Sequence, residues 1–124
     1  MNRVLVVDAD SATIAFFRDV LDQNYEMQTA ANGKEALIML PNFRPDVGVV
    51  EIELEDMMGW QLAAKMRQHK PHLPIIAIAS NASWDNIRQM RIEAEPILFY
   101  AVKPLNRHEM QEAIQAAVSL HQHV

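Results

Sequence analysis

Short apolar runs alternate with helix-period segments five times along this chain, and few folds accommodate that rhythm. Val4–Val7 reads as a first buried strand, and Ser11–Asp22 follows with Ile14, Phe17 and Leu21 at amphipathic-helix spacing. Tyr25–Thr29 is the second strand. Asn32-Gly33-Lys34-Glu35 has capping-box spacing and opens a helix to about Leu40, after which Pro41 and Pro45 bracket a loop. Val47–Ile52 is the third strand, Glu53–Gly59 an acidic loop, and Gln61–His69 a helix stopped by Pro71 and Pro74. Ile75–Ala79 and Ile97–Val102 are the fourth and fifth strands, with a helix at Trp84–Ile92 between them. Asn106, with Glu109 three positions on, caps a last helix whose Met110, Ala113, Ile114, Ala117 and Val118 make one apolar stripe.

Strands that each precede a helix require right-handed crossovers, hence a parallel sheet covered on both faces. The strands are runs of Val, Ile and Leu, as doubly buried strands should be. With 124 residues and neither repeat nor linker, residues 1–124 are expected to form a single α/β domain.

Composition narrows the chemistry. A formal net charge of -5 repels phosphate-rich surfaces, so no direct nucleic-acid or membrane partner is expected. There is no cysteine, which removes disulfides, thiol nucleophiles and thiolate metal sites. No apolar run approaches the roughly 20 residues of a membrane helix, and the N-terminus lacks signal-peptide features, so a cytoplasmic location is expected.

In open parallel sheets, functional groups gather beyond the carboxyl ends of the strands. Here those ends carry Asp8, Ala9 and Asp10, then Glu51 to Asp56, then Ala79, Ser80 and Asn81, then Lys103-Pro104. Acids from two strands and one lysine therefore converge. On chemistry alone this is a cation-binding or phosphoryl-handling pocket in which Lys103 offsets carboxylate charge.

Taken in order, these segments resemble the receiver domains of response regulators along nearly the whole chain. The resemblance rests on Val4-Leu5-Val6-Val7-Asp8, on Ala31-Asn32-Gly33-Lys34-Glu35-Ala36-Leu37, and on Arg44-Pro45-Asp46-Val47. It also rests on Gly59, eight positions after Glu51, and on Tyr100, Lys103 and Pro104. It implies the doubly wound flavodoxin-like, CheY-like sheet with strand order 2-1-3-4-5, and a cis peptide at Pro104. In an intact receiver, two acids and an acceptor aspartate hold Mg²⁺, while a lysine and a hydroxyl bind the phosphoryl oxygens. Carried onto this chain, Asp8 matches the first acid but Ala9 replaces the second. Glu51 is the phosphoacceptor equivalent, Ala79 falls at the hydroxyl position with Ser80 beside it, and Lys103 matches the lysine.

These departures imply a degenerate acidic pocket of Asp8, Ala9, Asp10 and Glu51, with no resident cofactor and Mg²⁺ weak or absent. Glu51 carries its carboxylate one methylene beyond an aspartate, so a Glu51–Lys103 ion pair is expected that partly imitates a phosphorylated state. Tyr100 matches the switch aromatic and, with Ala79 opposite, is expected to sit still. The chain is then no enzyme but a signalling module. It would dock a protein partner or a second copy through the face from Trp84 to Leu120, and a sensor kinase or output domain would be its counterpart.

Two other readings compete. A receiver with a non-standard acceptor would still take phosphate on Glu51 or a neighbouring acid. A haloacid-dehalogenase-type phosphatase would use Asp8 as nucleophile and Asp10 as acid, with Ser80-Asn81 and Lys103 in support, but Ala12 stands where its threonine belongs. A flavin-binding domain would need hydroxyls and glycines after strand one, where this chain has carboxylates. Among the remaining residues, Glu53, Glu55 and Asp56 read as a solvated loop and Met57, Met58 and Trp60 as core filler. His69 and His72 lack a metal pair's spacing, and His121 and His123 belong to a fraying helix end.

Overall fold

The apolar runs pair side by side. In the computed structural model, β1 (Asn2–Val7), β2 (Tyr25–Ala30), β3 (Val47–Glu51), β4 (Ile75–Ala79) and β5 (Phe99–Val102) form one parallel sheet in the order β2-β1-β3-β4-β5. Between and after them come α1 (Ser11–Leu21), α2 (Gly33–Phe43), α3 (Gly59–His69), α4 (Trp84–Ala94) and α5 (Arg107–Gln122). The structure describes residues 1–81 and 84–122, residues 121 and 122 by backbone alone; His123 and the side chain of His121 lie outside that description.

Period-two alternation along each strand splits the core in two. Leu5, Val7, Val50, Ile52, Ile75 and Ala77 face α2, α3 and α4, where they meet Leu40, Phe43, Leu62, Met66 and Met90. Val4, Val6, Val47, Val49, Ile76 and Ile78 face α1 and α5 and meet Phe17, Leu21, Met110 and Ile114. All five residues of the expected α5 stripe are buried. Met57, Met58 and Trp60 pack against the first cluster, as filler should.

Several expected boundaries shift. Pro41 does not open a loop: α2 runs through it to Phe43. Pro41 removes one hydrogen bond in the last turn only, while buried Leu40 and Phe43 hold that turn to the core. The helix stops at Arg44, left-handed at φ 54°, whose amide donates to the Leu40 carbonyl at 3.0 Å. β5 starts at Phe99 rather than Ile97, although Ile97 is buried in the core and Leu98 N donates to Ile75 O at 2.9 Å. α3 begins at Gly59, and α4 continues past Ile92 to Ala94. β1 and β2 gain residues at their ends, and α1 stops one residue earlier, with Asp22 at φ 44°.

Gly59 fixes the entry to α3. A Cβ there would lie 2.6 Å from the Glu51 carbonyl oxygen and 3.0 Å from Ile52 Cα. Its amide also donates to Ile52 O at 2.7 Å. Any side chain would push the helix start away from the end of β3. Gly59→Ala is expected to lower stability by about 1–3 kcal/mol in urea unfolding; an unmoved midpoint would contradict the close approach.

Candidate functional site

β1 and β3 are neighbours at the sheet centre, so Asp8 and Glu51 emerge side by side at their carboxyl ends. Both are buried, at 4% exposure each. Asp8 is tied down locally: its amide donates to Ala30 O at 2.9 Å, and its Oδ1 accepts from Asp10 N at 2.9 Å. Asp10 in turn caps α1, accepting from Ala12 N at 3.0 Å and Thr13 Oγ1 at 3.1 Å. Those two bonds, helped by Lys103, hold its carboxyl below the usual range.

Lys103 arrives from the opposite side. β5 pairs with β4, Lys103 N donates to Ala79 O at 2.9 Å, and the Lys103–Pro104 peptide is cis, as expected. Its Nζ donates to Asp8 Oδ2 at 2.8 Å and lies 3.4 Å from Asp10 Oδ2 and 3.8 Å from Glu51 Oε2. The expected Glu51–Lys103 ion pair is present at 3.8 Å, but it is the longest of three: Lys103 hydrogen-bonds Asp8 and lies nearer Asp10 as well. The extra methylene of Glu51 is used differently. Its Oε1 accepts from Ser80 Oγ at 2.9 Å.

Burial pushes the Glu51 carboxyl up, a rise that the Ser80 bond and the Lys103 charge oppose and the Asp8 charge reinforces. Its Oε2 finds no hydrogen-bond partner among the described residues. For Lys103, burial presses the ammonium down, but the bond to Asp8 and the charges of Asp8, Glu51 and Asp10 outweigh it and leave the group raised.

Of the remaining expected residues, Ala79 is buried in the apolar core and Ala9 is exposed; neither has a polar side-chain atom to offer. Tyr100 packs against the α3–α4 side of the core. Its hydroxyl has no hydrogen-bond partner among the described residues, and its pKa is pushed up to about 12 by burial and then by the Glu95 charge. Glu53, Glu55 and Asp56 are exposed, as a solvated loop should be, and each also accepts a hydrogen bond. Asp56 accepts from Gly33 N and Lys34 N, each at 2.9 Å, and so caps α2. Glu55 accepts from Asn32 Nδ2 at 2.8 Å, and Glu53 accepts from Asn86. Ser80 and Asp56 are the residues whose roles sequence reasoning missed. A helix start at Asn32-Gly33 beside an acid-rich neighbouring strand end was the available signal for Asp56.

Chemically, the site is three carboxylates sharing one ammonium. Among the described residues, no group of three or more His, Cys, Asp or Glu could hold a metal ion. Asp8 spends one oxygen on the Asp10 amide and the other on Lys103, and Ala9 supplies no ligand.

The chain matches the family model described as response regulator receiver domain over residues 4–115. It belongs to that family. It is 27% identical to a CheY-like receiver domain protein from Methanospirillum hungatei JF-1, whose crystal structure it matches with a TM-score of 0.88 over 99% of this chain and 98% of that one. The transcriptional regulatory protein PhoP of Escherichia coli K12 is 30% identical over 92% of the chain. The sensor histidine kinase TmoS of Ectopseudomonas mendocina is 26% identical over 95% of it. The chain spans 51% of that PhoP and 12% of TmoS. The match makes the chain a receiver domain of two-component signalling, and Asp10, the acid of the phosphatase reading, caps α1. No helix among the described residues is long and apolar enough to cross a membrane.

Two measurements check this geometry. Lys103→Met would leave Asp8 and Glu51 as uncompensated buried charges, and should cost about 3–5 kcal/mol. A loss under about 1 kcal/mol would contradict it. Glu51→Gln tests the raised carboxyl. A folded pKa above the ordinary 4.5 means the folded state binds the proton more tightly than the unfolded chain. Stability from this group is therefore present when it is protonated and declines as pH rises through the folded pKa. Relative to wild type, Glu51→Gln should gain stability as pH rises from about 4 to 7; parallel profiles would refute this.

Proposed function

We propose that this receiver domain signals through protein contacts without phosphorylation at Glu51, with Mg²⁺ bound weakly or not at all. The observation that carries this reading is that the site's own donors are already engaged, with only Glu51 Oε2 lacking a hydrogen-bond partner among the described residues of the site. Ser80 occupies one oxygen of Glu51, Lys103 is committed to Asp8, and Ala79 offers no hydroxyl to a phosphoryl group. Phosphoryl transfer depends on alignment and on cations at the transferred group, and both are compromised here. The Glu51 carboxylate supplies one negative charge close to the lysine, short of the charge and the three acceptor oxygens of a phosphate.

The contact surface in this proposal is the face from Trp84 to Leu120. Trp84, Ile92 and Leu120 are 69%, 67% and 50% exposed, a density of large apolar groups that suits a partner. On α4, a groove of about 500 Å³ runs along Trp84, Ile87, Arg88, Arg91 and Ile92 to Glu95. Matching segments in a sensor histidine kinase and in transcriptional regulators support a kinase or an output domain as the counterpart.

Incubation with acetyl phosphate and Mg²⁺ followed by intact-mass measurement should show no added phosphoryl group. A stable adduct mapped to Glu51 would overturn the reading and restore an unusual phosphoacceptor.

A further inference from the structure

Glu51 ends β3, and Glu53 follows two residues on, past a bend at Ile52, in an isolated bridge with Met58; Glu51 is buried and Glu53 exposed. Each takes a donor from the next part of the sheet. Ser80, directly after β4, gives its hydroxyl to Glu51 at 2.9 Å. Asn86, in the first turn of α4, gives its side-chain amide to Glu53. One tie lies directly after β4 and the other in the first turn of α4.

α4 buries Ile87, Met90 and Ala94, one residue fewer than each of α1, α2 and α3, while α5 buries five along its stripe. Trp84 and Ile92 are turned to solvent, and in the first turn Ile87 is the one residue buried in the core, so polar ties add to what fixes where the helix begins. Hydrogen bonds to a carboxylate are shorter and stronger than neutral ones, and the Glu51 end of its bond to Ser80 is buried. The reach of Glu51 also matches the donor: the neighbouring Ala79 has nothing to give, and the longer acid meets the hydroxyl one residue further on.

We propose that Glu51 and Glu53 form a clamp that holds the start of α4 in one position with no phosphate present. Ser80 and Asn86 are its positioning residues. The clamp presets the groove formed by Trp84, Ile87, Arg88, Arg91 and Ile92. This deepens the phosphate-free reading above and rests on it for its signalling role, but the mechanical claim is tested separately.

The test is hydrogen–deuterium exchange of the full chain, without any phosphodonor, comparing wild type with Ser80→Ala, Asn86→Ala and the double variant. Amides of residues 84–90 are expected to exchange about tenfold faster in the double variant, while β1, β3 and α5 keep wild-type rates. The better helix propensity of alanine at position 86 works against this outcome, so acceleration there is not a propensity effect. Wild-type rates at 84–90 in the double variant, or equal acceleration in every segment, would overturn the clamp. Should the double variant not fold, the single variants are read by the same local-against-global criterion. A phosphoryl adduct in the mass experiment would remove the signalling reading and leave this comparison intact.

Discussion

The Lys103–Asp8 bond is the contact on which the rest of the site depends. Parallel pairing of β1 with β3 sets two carboxylates side by side in buried positions, an arrangement that is untenable without a cation. Lys103 supplies it from the far side of the sheet, at 2.8 Å from Asp8. With the cation committed there, Glu51 turns to the nearest neutral donor, Ser80. The site is then satisfied by its own side chains except for Glu51 Oε2.

That internal satisfaction links Ala9, Glu51 and Ala79, which look independent in the sequence. Ala9 withholds a ligand, Ala79 withholds a hydroxyl, and Glu51 has both the reach and the charge to be absorbed by Ser80 and Lys103. The same acids extend their influence outward. Glu53 holds α4 through Asn86, and Asp56 caps α2, so the strand-end loop knits two helices together.

Much of this fold is legible in the residues themselves. Runs such as Val4–Val7 and Ile75–Ala79 can be buried on both faces only in a covered parallel sheet, and the observed order follows. What misleads is local punctuation. Pro41 reads as a stop because the proline rule concerns helix interiors, whereas here it falls in a last turn anchored by Leu40 and Phe43. The site is legible in its membership but not in its pairing. Asp8, Asp10, Glu51 and Lys103 are all found together, yet whether a lysine sits on an aspartate or a glutamate turns on differences of about an ångström that no spacing encodes. Ser80 is hidden for the same reason. Its role depends on a side chain one methylene longer than the usual acceptor, meeting a hydroxyl one residue past the usual position.

The most direct test of a site closed on itself is a crystal structure determined from crystals grown in Mg²⁺. It should show Lys103 Nζ on Asp8 and Ser80 Oγ on Glu51, with no ion between the carboxylates. An ion bridging Asp8 and Glu51, with Lys103 displaced from Asp8, would contradict the account.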